Sequence, residues 1–284
     1  MFSIIIPTLN NLKYLIVCIN SIKKNSKLNN EILVHVSEDK NGETRAFLKE
    51  NNIKSTFTSE NVGLCSAINT VAQISSYKYI IYSHDDMYFC PDWEDPLINE
   101  INSINHNNFY ISGSMIEPNS GHIKFNCGET IENFNEKKLL ENLNKLNISD
   151  HQGSHFAPHC VHKEMWDKVG GFSEEFNPGI ASDPDFNMKL WKIGVRIFKG
   201  LNAFKVYHFG SLTTRKNKEI VQNKGDITFL RKWGITTNFF KEHYLKSKTI
   251  YKSPLGEPNK NVSFFLGLIK CKIKLAYLNI LNIK

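Results

Sequence analysis

None of the six cysteines (Cys18, Cys65, Cys90, Cys127, Cys160 and Cys271) belongs to a Cys-x-x-Cys pair, and together they form no dense framework. That spacing argues against structural zinc and a disulfide scaffold, and it fits free thiols in a reducing compartment. No apolar run reaches the length of a bilayer span, because Lys270, Lys272 and Lys274 break the one in the tail. Met1 leads at once into Phe2 to Ile6 without a basic region and a long apolar core, so no secretory signal is expected and a cytoplasmic location is. The loop after that first apolar stretch holds no glycine, which rules against a Gly-x-Gly-x-x-Gly dinucleotide turn and a P-loop.

What is present is a chain of 284 residues with 41% apolar content, enough to bury one large core with an appendage. The net charge of +7 is unevenly placed. Residues 241–284 carry nine Lys and two Glu, so residues 1–240 balance at 26 basic and 26 acidic groups. A neutral body with a basic tail points to a local anionic partner such as a membrane surface, not to nucleic acid held by the whole domain.

The stretch Tyr79-Ile80-Ile81-Tyr82-Ser83-His84-Asp85-Asp86 organises the chain: an apolar run that stops in two adjacent carboxylates. The run predicts a strand buried on both faces, and open α/β sheets place ligands at the carboxyl ends of such strands. Adjacent carboxylates repel unless a cation lies between them, so Mg²⁺ or Mn²⁺ is the expected resident, with a solvated turn as the plainer alternative. Upstream, Ser3 to Ile6 predicts a strand that Pro7 terminates, followed by a helix capped by Asn10 or Asn11 with Leu12, Leu15, Ile16, Ile19 and Ile22 on one face. Glu31 to Val36 predicts a second strand, Glu43 to Glu50 a helix, Ser55 to Thr58 a third strand, and Leu64 to Val71 a helix. This alternation predicts an α/β fold with a mostly parallel central sheet flanked by helices. Thr8, Asn10 and the Glu38-Asp39 turn would then converge on the edge that carries Asp85 and Asp86.

Five ordered segments resemble family 2 glycosyltransferases of the GT-A fold. They are Ser3-Ile4-Ile5-Ile6-Pro7-Thr8-Leu9-Asn10; Glu60 to Asn69; the strand ending His84-Asp85-Asp86; Val169 to Phe176 with Ser182-Asp183-Pro184-Asp185; and Val206-Tyr207-His208. The resemblance implies that Pro7, Thr8, Asn10, Glu38 and Asp39 hold the base and ribose of a UDP-, GDP- or dTDP-linked sugar, with Asn61, Gly63 and Asn69 in the third donor motif. It implies that Asp86 and His208 bind the Mn²⁺ or Mg²⁺ that bridges the donor diphosphate, with Asp85 in the middle position of the motif, and that Asp183 is the base. The chain departs from the family pattern at His84, where Asp is usual, at Ile68, where Arg is frequent, and at Ser182, where Glu is usual.

The implied chemistry is inverting transfer to a hydroxyl of a glycan or lipid-linked glycan, which requires a general base and neutralisation of the leaving diphosphate. Asp183 also reads as a helix cap, with Pro184 as first helical residue. Arg215 could close over the diphosphate. Trp93, Trp166 and Trp191 could stack a sugar, although Trp191 at helical spacing reads as core. His151, His155, His159 and His162 have metal-like intervals, yet Gly153 and Pro158 interrupt any helix, and an acceptor-facing strand and loop is expected instead. The expected domains are 1–240 for transfer (1–110 nucleotide, 111–240 acceptor) and 241–284 for a linker and basic amphipathic helix. In that helix Val262, Phe265, Ile269, Ile273, Ala276, Ile280 and Ile283 form a stripe that would meet a membrane, its own domain or a second copy in a homodimer. A silent GT-A module that binds nucleotide or glycan without turnover is the competing function.

Overall fold

A computed structural model describes residues 1–153, 156–210 and 224–281. The first half of the chain alternates as expected: β1 (Phe2–Leu9), α1 (Leu12–Asn25), β2 (Glu31–Ser37), α2 (Glu43–Glu50), β3 (Lys54–Thr58), α3 (Leu64–Ala72) and β4 (Tyr79–Tyr82). There follow β5 (Met87–Phe89), α4 (Glu94–Ile104), β6 (Phe109–Glu117), β7 (Ile123–Lys124), α5 (Glu136–Asn142), β8 (His151–Gln152), β9 (His159–His162), α6 (Lys163–Val169), α7 (Ser182–Lys192) and β10 (Ile197–His208). Helices Gly225–Trp233 and Val262–Ile280 complete the described elements named here.

All the strands join one mixed sheet, ordered β3-β2-β1-β4-β9-β6-β10-β5, with β7 on β6 and β8 on β10. The four strands from β3 to β4 are mutually parallel. β9 runs against both β4 and β6, which restores the common direction in β6 and β10. The carboxyl ends of β1, β2, β4, β6 and β10 therefore emerge along a single edge. β9 is thus an internal strand of the sheet, with His159 buried and His162 half-buried, while His155 lies outside the described residues.

Pro7 does not end β1, which runs on to Leu9 with Pro7 opposite His35 of β2. The reason is geometric. Ser83 N–H donates to Ile5 O, so Ile5 and, two residues on, Pro7 turn their backbone groups toward β4. β4 has already stopped, its last pair being Tyr82 opposite Ile5, so the missing proline N–H costs no ladder bond.

One apolar cluster runs through the sheet from Ile4, Ile5 and Ile6 to Phe186, Phe198 and Phe204, and reaches Phe264, Cys271 and Leu278 of the C-terminal helix. That helix is capped by Asn261, whose side chain accepts from Phe264 N–H at 3.0 Å. It docks through Phe264, Leu268, Cys271, Leu275 and Leu278, a different face from the expected stripe, whose members from Val262 to Ile280 point outward while Ile283 lies outside the described residues. Gly267 lets it approach closely: a Cβ there would come within 2.9 Å of the Phe239 ring. Trp93, Trp166 and Trp191 are 0%, 5% and 3% exposed, so all three are core residues and none is available to stack a sugar.

Candidate active site

The register of the sheet builds the site. After Asp86 the chain turns into β5, which pairs antiparallel with β10 so that His208 faces Met87, and Phe209 N–H donates to Asp86 O. His208 Nε2 thereby lies 3.2 Å from Asp86 Oδ1. His84 joins from the other side of Asp86, its Nδ1 4.0 Å from the same oxygen and its ring 5.6 Å from that of His208. Ligand atoms of His84, Asp86 and His208 all lie within 4.8 Å of one another, the one such group among the described residues.

Behind His208 stands Glu117, the last residue of β6, whose Oε1 is 2.5 Å from His208 Nδ1. Glu117 also accepts from Ser120 Oγ. Burial resists charging His208, but the carboxylates of Asp86 and Glu117 outweigh it and raise the imidazole to about 10. Burial likewise acts against the charged form of Asp86, and is outweighed by His208 and His84, which bring the carboxyl down to about 2. His84, with burial dominant, falls to about 4 and is a neutral imidazole at pH 7. A proton on His208 Nε2 thus stands on the side of the ring where, with Asp86 and His84, a divalent cation would bind, while Glu117 holds the other ring nitrogen. This donor set of two imidazoles and a carboxylate fits Mn²⁺ or a later first-row ion better than Mg²⁺, which prefers an all-oxygen shell.

Asp85 turns the other way. Its Oδ2 accepts from Thr8 Oγ1 at 2.6 Å and its Oδ1 from Asn11 Nδ2 at 3.0 Å. Burial and the charge of Asp86 raise its carboxyl to about 7 despite those bonds. Asn11 is therefore no side-chain cap for α1, although it occupies the cap position; its amide is held by Asp85. The outer rim of the edge is formed by Asn10 and Glu38, both at positive φ (50° and 53°), with Asn10 Nδ2 3.1 Å from Glu38 Oε2. Asp39 is occupied elsewhere: it accepts from the backbone N–H groups of Thr44 and Arg45 at the start of α2 and from Arg45 Nε.

The third motif ties α3 to the loops around it. Asn61 Oδ1 accepts from Gly63 N–H, and a Cβ on Gly63 would collide with Asn177. Asn69 binds the backbone of Phe172 twice, accepting from its N–H and donating to its O, both at 2.8 Å. Its amide clamps α3 to the loop at Phe172. Ile68 is fully buried, so the side chain that replaces the frequent Arg faces the core. Asn177, which sequence reasoning missed, closes the same corner by accepting from Cys65 N–H and donating to Ser66 Oγ and Val62 O.

Asp183 lies in the first turn of α7, one residue inside the helix, and the cap position belongs to Ala181 at φ 64°. It is therefore not the N-cap. Its Oδ1 is turned inward with no hydrogen-bond partner among the described residues. Burial raises its carboxyl to about 7. Tyr82, at the end of β4, connects this residue to the other carboxylates: burial first, then the charges of Asp183 and, more weakly, Asp85 push its phenol far up. Its ring lies 5.4 Å from His84 and 5.6 Å from Phe172. Asp85, Asp86, His84 and His208 thus share one sheet edge, with Asp183 close enough to Tyr82 at the end of β4 for its charge to act on that phenol, while Arg215 lies outside the described residues.

Comparison with known proteins bears on the family and the fold. The sequence model of glycosyl transferase family 2 matches residues 3–159, more than half of the chain. No curated protein matches the sequence. Among solved structures, S. aureus TarS 1-349 superposes with a TM-score of 0.55 at 16% identity, over 73% of this chain and 60% of that one. GalNAc-T7, crystallised with UDP, GalNAc and Mn²⁺, gives 0.56 at 15% identity, over 79% of this chain and 44% of that one. TarS 1-349 in complex with UDP-GlcNAc gives 0.54 at 15% identity. The chain therefore spans less than two thirds of the length of these relatives. With the alternating first half, the mixed sheet and the acidic motif after β4 in place, the chain belongs to glycosyl transferase family 2 and has the GT-A fold.

Proposed function

We propose that the protein is an inverting glycosyltransferase that moves a sugar from a UDP-linked donor to a hydroxyl of a glycan or lipid-linked glycan during polysaccharide biosynthesis. The observation that supports this reading is the His84-Asp86-His208 group at the end of β4, together with an Asp183 oxygen that has no partner among the described residues and whose charge acts on Tyr82 of the same strand. The choice of UDP over GDP or dTDP draws on the ligands of TarS and GalNAc-T7. Thr8, Asn10 and Glu38 would meet the base and ribose at the ends of β1 and β2, with residues 1–110 serving the nucleotide and 111–240 the acceptor.

His84, Asp86 and His208 would hold a divalent cation, Mn²⁺ in preference to Mg²⁺. When bound, that ion neutralises the diphosphate as it leaves. Asp85 is tied to Thr8 and Asn11 and fixes the loop that presents Asp86. Asp183, ionised, accepts the proton of the acceptor hydroxyl as its oxygen bonds to the anomeric carbon. The bond from that carbon to the diphosphate oxygen breaks, and nucleoside diphosphate departs. A carboxyl near pH 7 in its titration suits a base that must gain and release a proton in each cycle. No helix among the described residues is long and apolar enough to cross a membrane. The same reading sets the enzyme in the cytoplasm at the inner face of a membrane, with a homodimer as the rival use of residues 262–284.

Incubation with Mn²⁺ and a panel of nucleotide sugars tests the proposal. Release of UDP above the spontaneous rate, lost in Asp183→Asn, supports it; donor binding with no turnover under any acceptor condition would make the protein a silent binding module.

A further inference from the structure

We infer that the outward face of helix Val262–Ile280 is a docking surface for an anionic lipid bilayer, with the helix lying in the plane of the interface. This extends the reading above to the surface on which the enzyme works, and its test does not require turnover.

The helix has two apolar faces, and only one is covered. Phe264, Leu268, Cys271, Leu275 and Leu278 pack on helix Gly225–Trp233 and on the turns from Thr236 to Tyr244. The opposite face carries Val262, Phe265, Leu266, Ile269, Ile273 and Ile280, exposed by 75%, 50%, 55%, 52%, 65% and 79%. With 3.6 residues per turn these positions form one continuous stripe along a helix of 19 residues, roughly 28 Å long. Lys272 borders one margin of the stripe and Lys270 and Lys274 the other, all three exposed, so each can bury its stem and raise its ammonium beside the apolar face.

Charge selects the occupant. The helix contains no acidic residue, and residues 241–284 hold the whole +7 excess of the chain. A second copy seated on this face would set lysines against lysines with no helix carboxylate to pair them, whereas an anionic headgroup layer satisfies the cations and accepts the apolar stripe. The docked face keeps the stripe outward, because turning it inward would expose Phe264 and Leu278. Helix Gly225–Trp233, on which it rests, also contacts the turn Glu174–Phe176 that precedes α7, so the surface belongs to the half of the molecule that carries Asp183.

Vesicle flotation of the full chain, without donor or acceptor, tests this. Binding to phosphatidylglycerol-containing vesicles is expected, weakened by salt and by replacement with pure phosphatidylcholine. Ile269→Asp/Ile273→Asp should reduce partition by at least about tenfold, and Lys270→Gln/Lys272→Gln/Lys274→Gln by on the order of 100-fold, with unchanged thermal melting because all five side chains are exposed. Light scattering is run on the same samples. Absence of vesicle binding by the wild type, equal binding by the variants, or a lipid-free dimer that the Ile variants dissociate would each overturn the inference. UDP release with a water-soluble acceptor should be the same in all of them, which separates failure here from failure of the transferase reading.

Discussion

Glu117 Oε1 stands 2.5 Å from His208 Nδ1, and the other ring nitrogen of His208 faces Asp86 at 3.2 Å. A carboxylate behind an imidazole fixes the tautomer, so that Nε2 is the nitrogen offered to a cation, and makes that nitrogen a better ligand. Glu117→Gln should therefore weaken Mn²⁺ binding by roughly 10- to 100-fold while His208 stays in place. Calorimetric titration of Mn²⁺ measures this; unchanged affinity would mean that Glu117 only fills space.

The two imidazoles also bear on the identity of the ion. Mn²⁺ should raise the melting temperature more than equal Mg²⁺, and His84→Ala should narrow that gap, since nitrogen ligands favour the later ion. Equal shifts from both ions in the wild type would argue that His84 stays out of the metal shell.

Asp183 gives a prediction in pH. If it is the base, the rate should rise with pH and level off above about 7, and Asp183→Asn should lower it by about 10²- to 10⁴-fold with donor affinity retained. The same carboxyl affects stability with a definite sign. Its folded value is raised above the ordinary one, so the folded state holds the proton longer, and the stability associated with that proton is lost as pH rises through about 7. Asp183→Asn should accordingly be more stable than wild type at pH 8, by denaturant unfolding, and lose that advantage near pH 4. A variant less stable than wild type at pH 8 would place the side chain in a contact that the geometry lacks.

Asn69 separates architecture from donor binding. Removing an amide whose two groups both bind the Phe172 backbone should cost about 1–3 kcal/mol in Asn69→Ala, by denaturant unfolding. UDP affinity in the folded fraction should not change. A large loss of affinity with little loss of stability would restore Asn69 to the donor site.

The fold was legible where the pattern is local. Apolar runs punctuated by polar turns give β1 to β4 and the helices between them, and the carboxylates after Tyr82 mark the working edge. The second half was harder, because β9 inserts antiparallel between β4 and β6, a pairing that no period along the chain encodes. Glu117 had a readable signal that went unused: it ends the wholly buried strand Phe109–Glu117 in a charge, as Asp85 and Asp86 end theirs. The motif positions of Asn69 and Asp39 do not reveal which of their polar groups the backbone already holds. The tail helix was recognisable, but with apolar residues on two faces its period could not say which face docks.

The most direct measurement is calorimetry of UDP binding in the presence of Mn²⁺ to the wild type and to Asp86→Ala. The account predicts Mn²⁺-dependent binding in the wild type and none detectable in the variant, which should remain folded. Equal UDP affinity in the two proteins, or affinity indifferent to Mn²⁺, would contradict it.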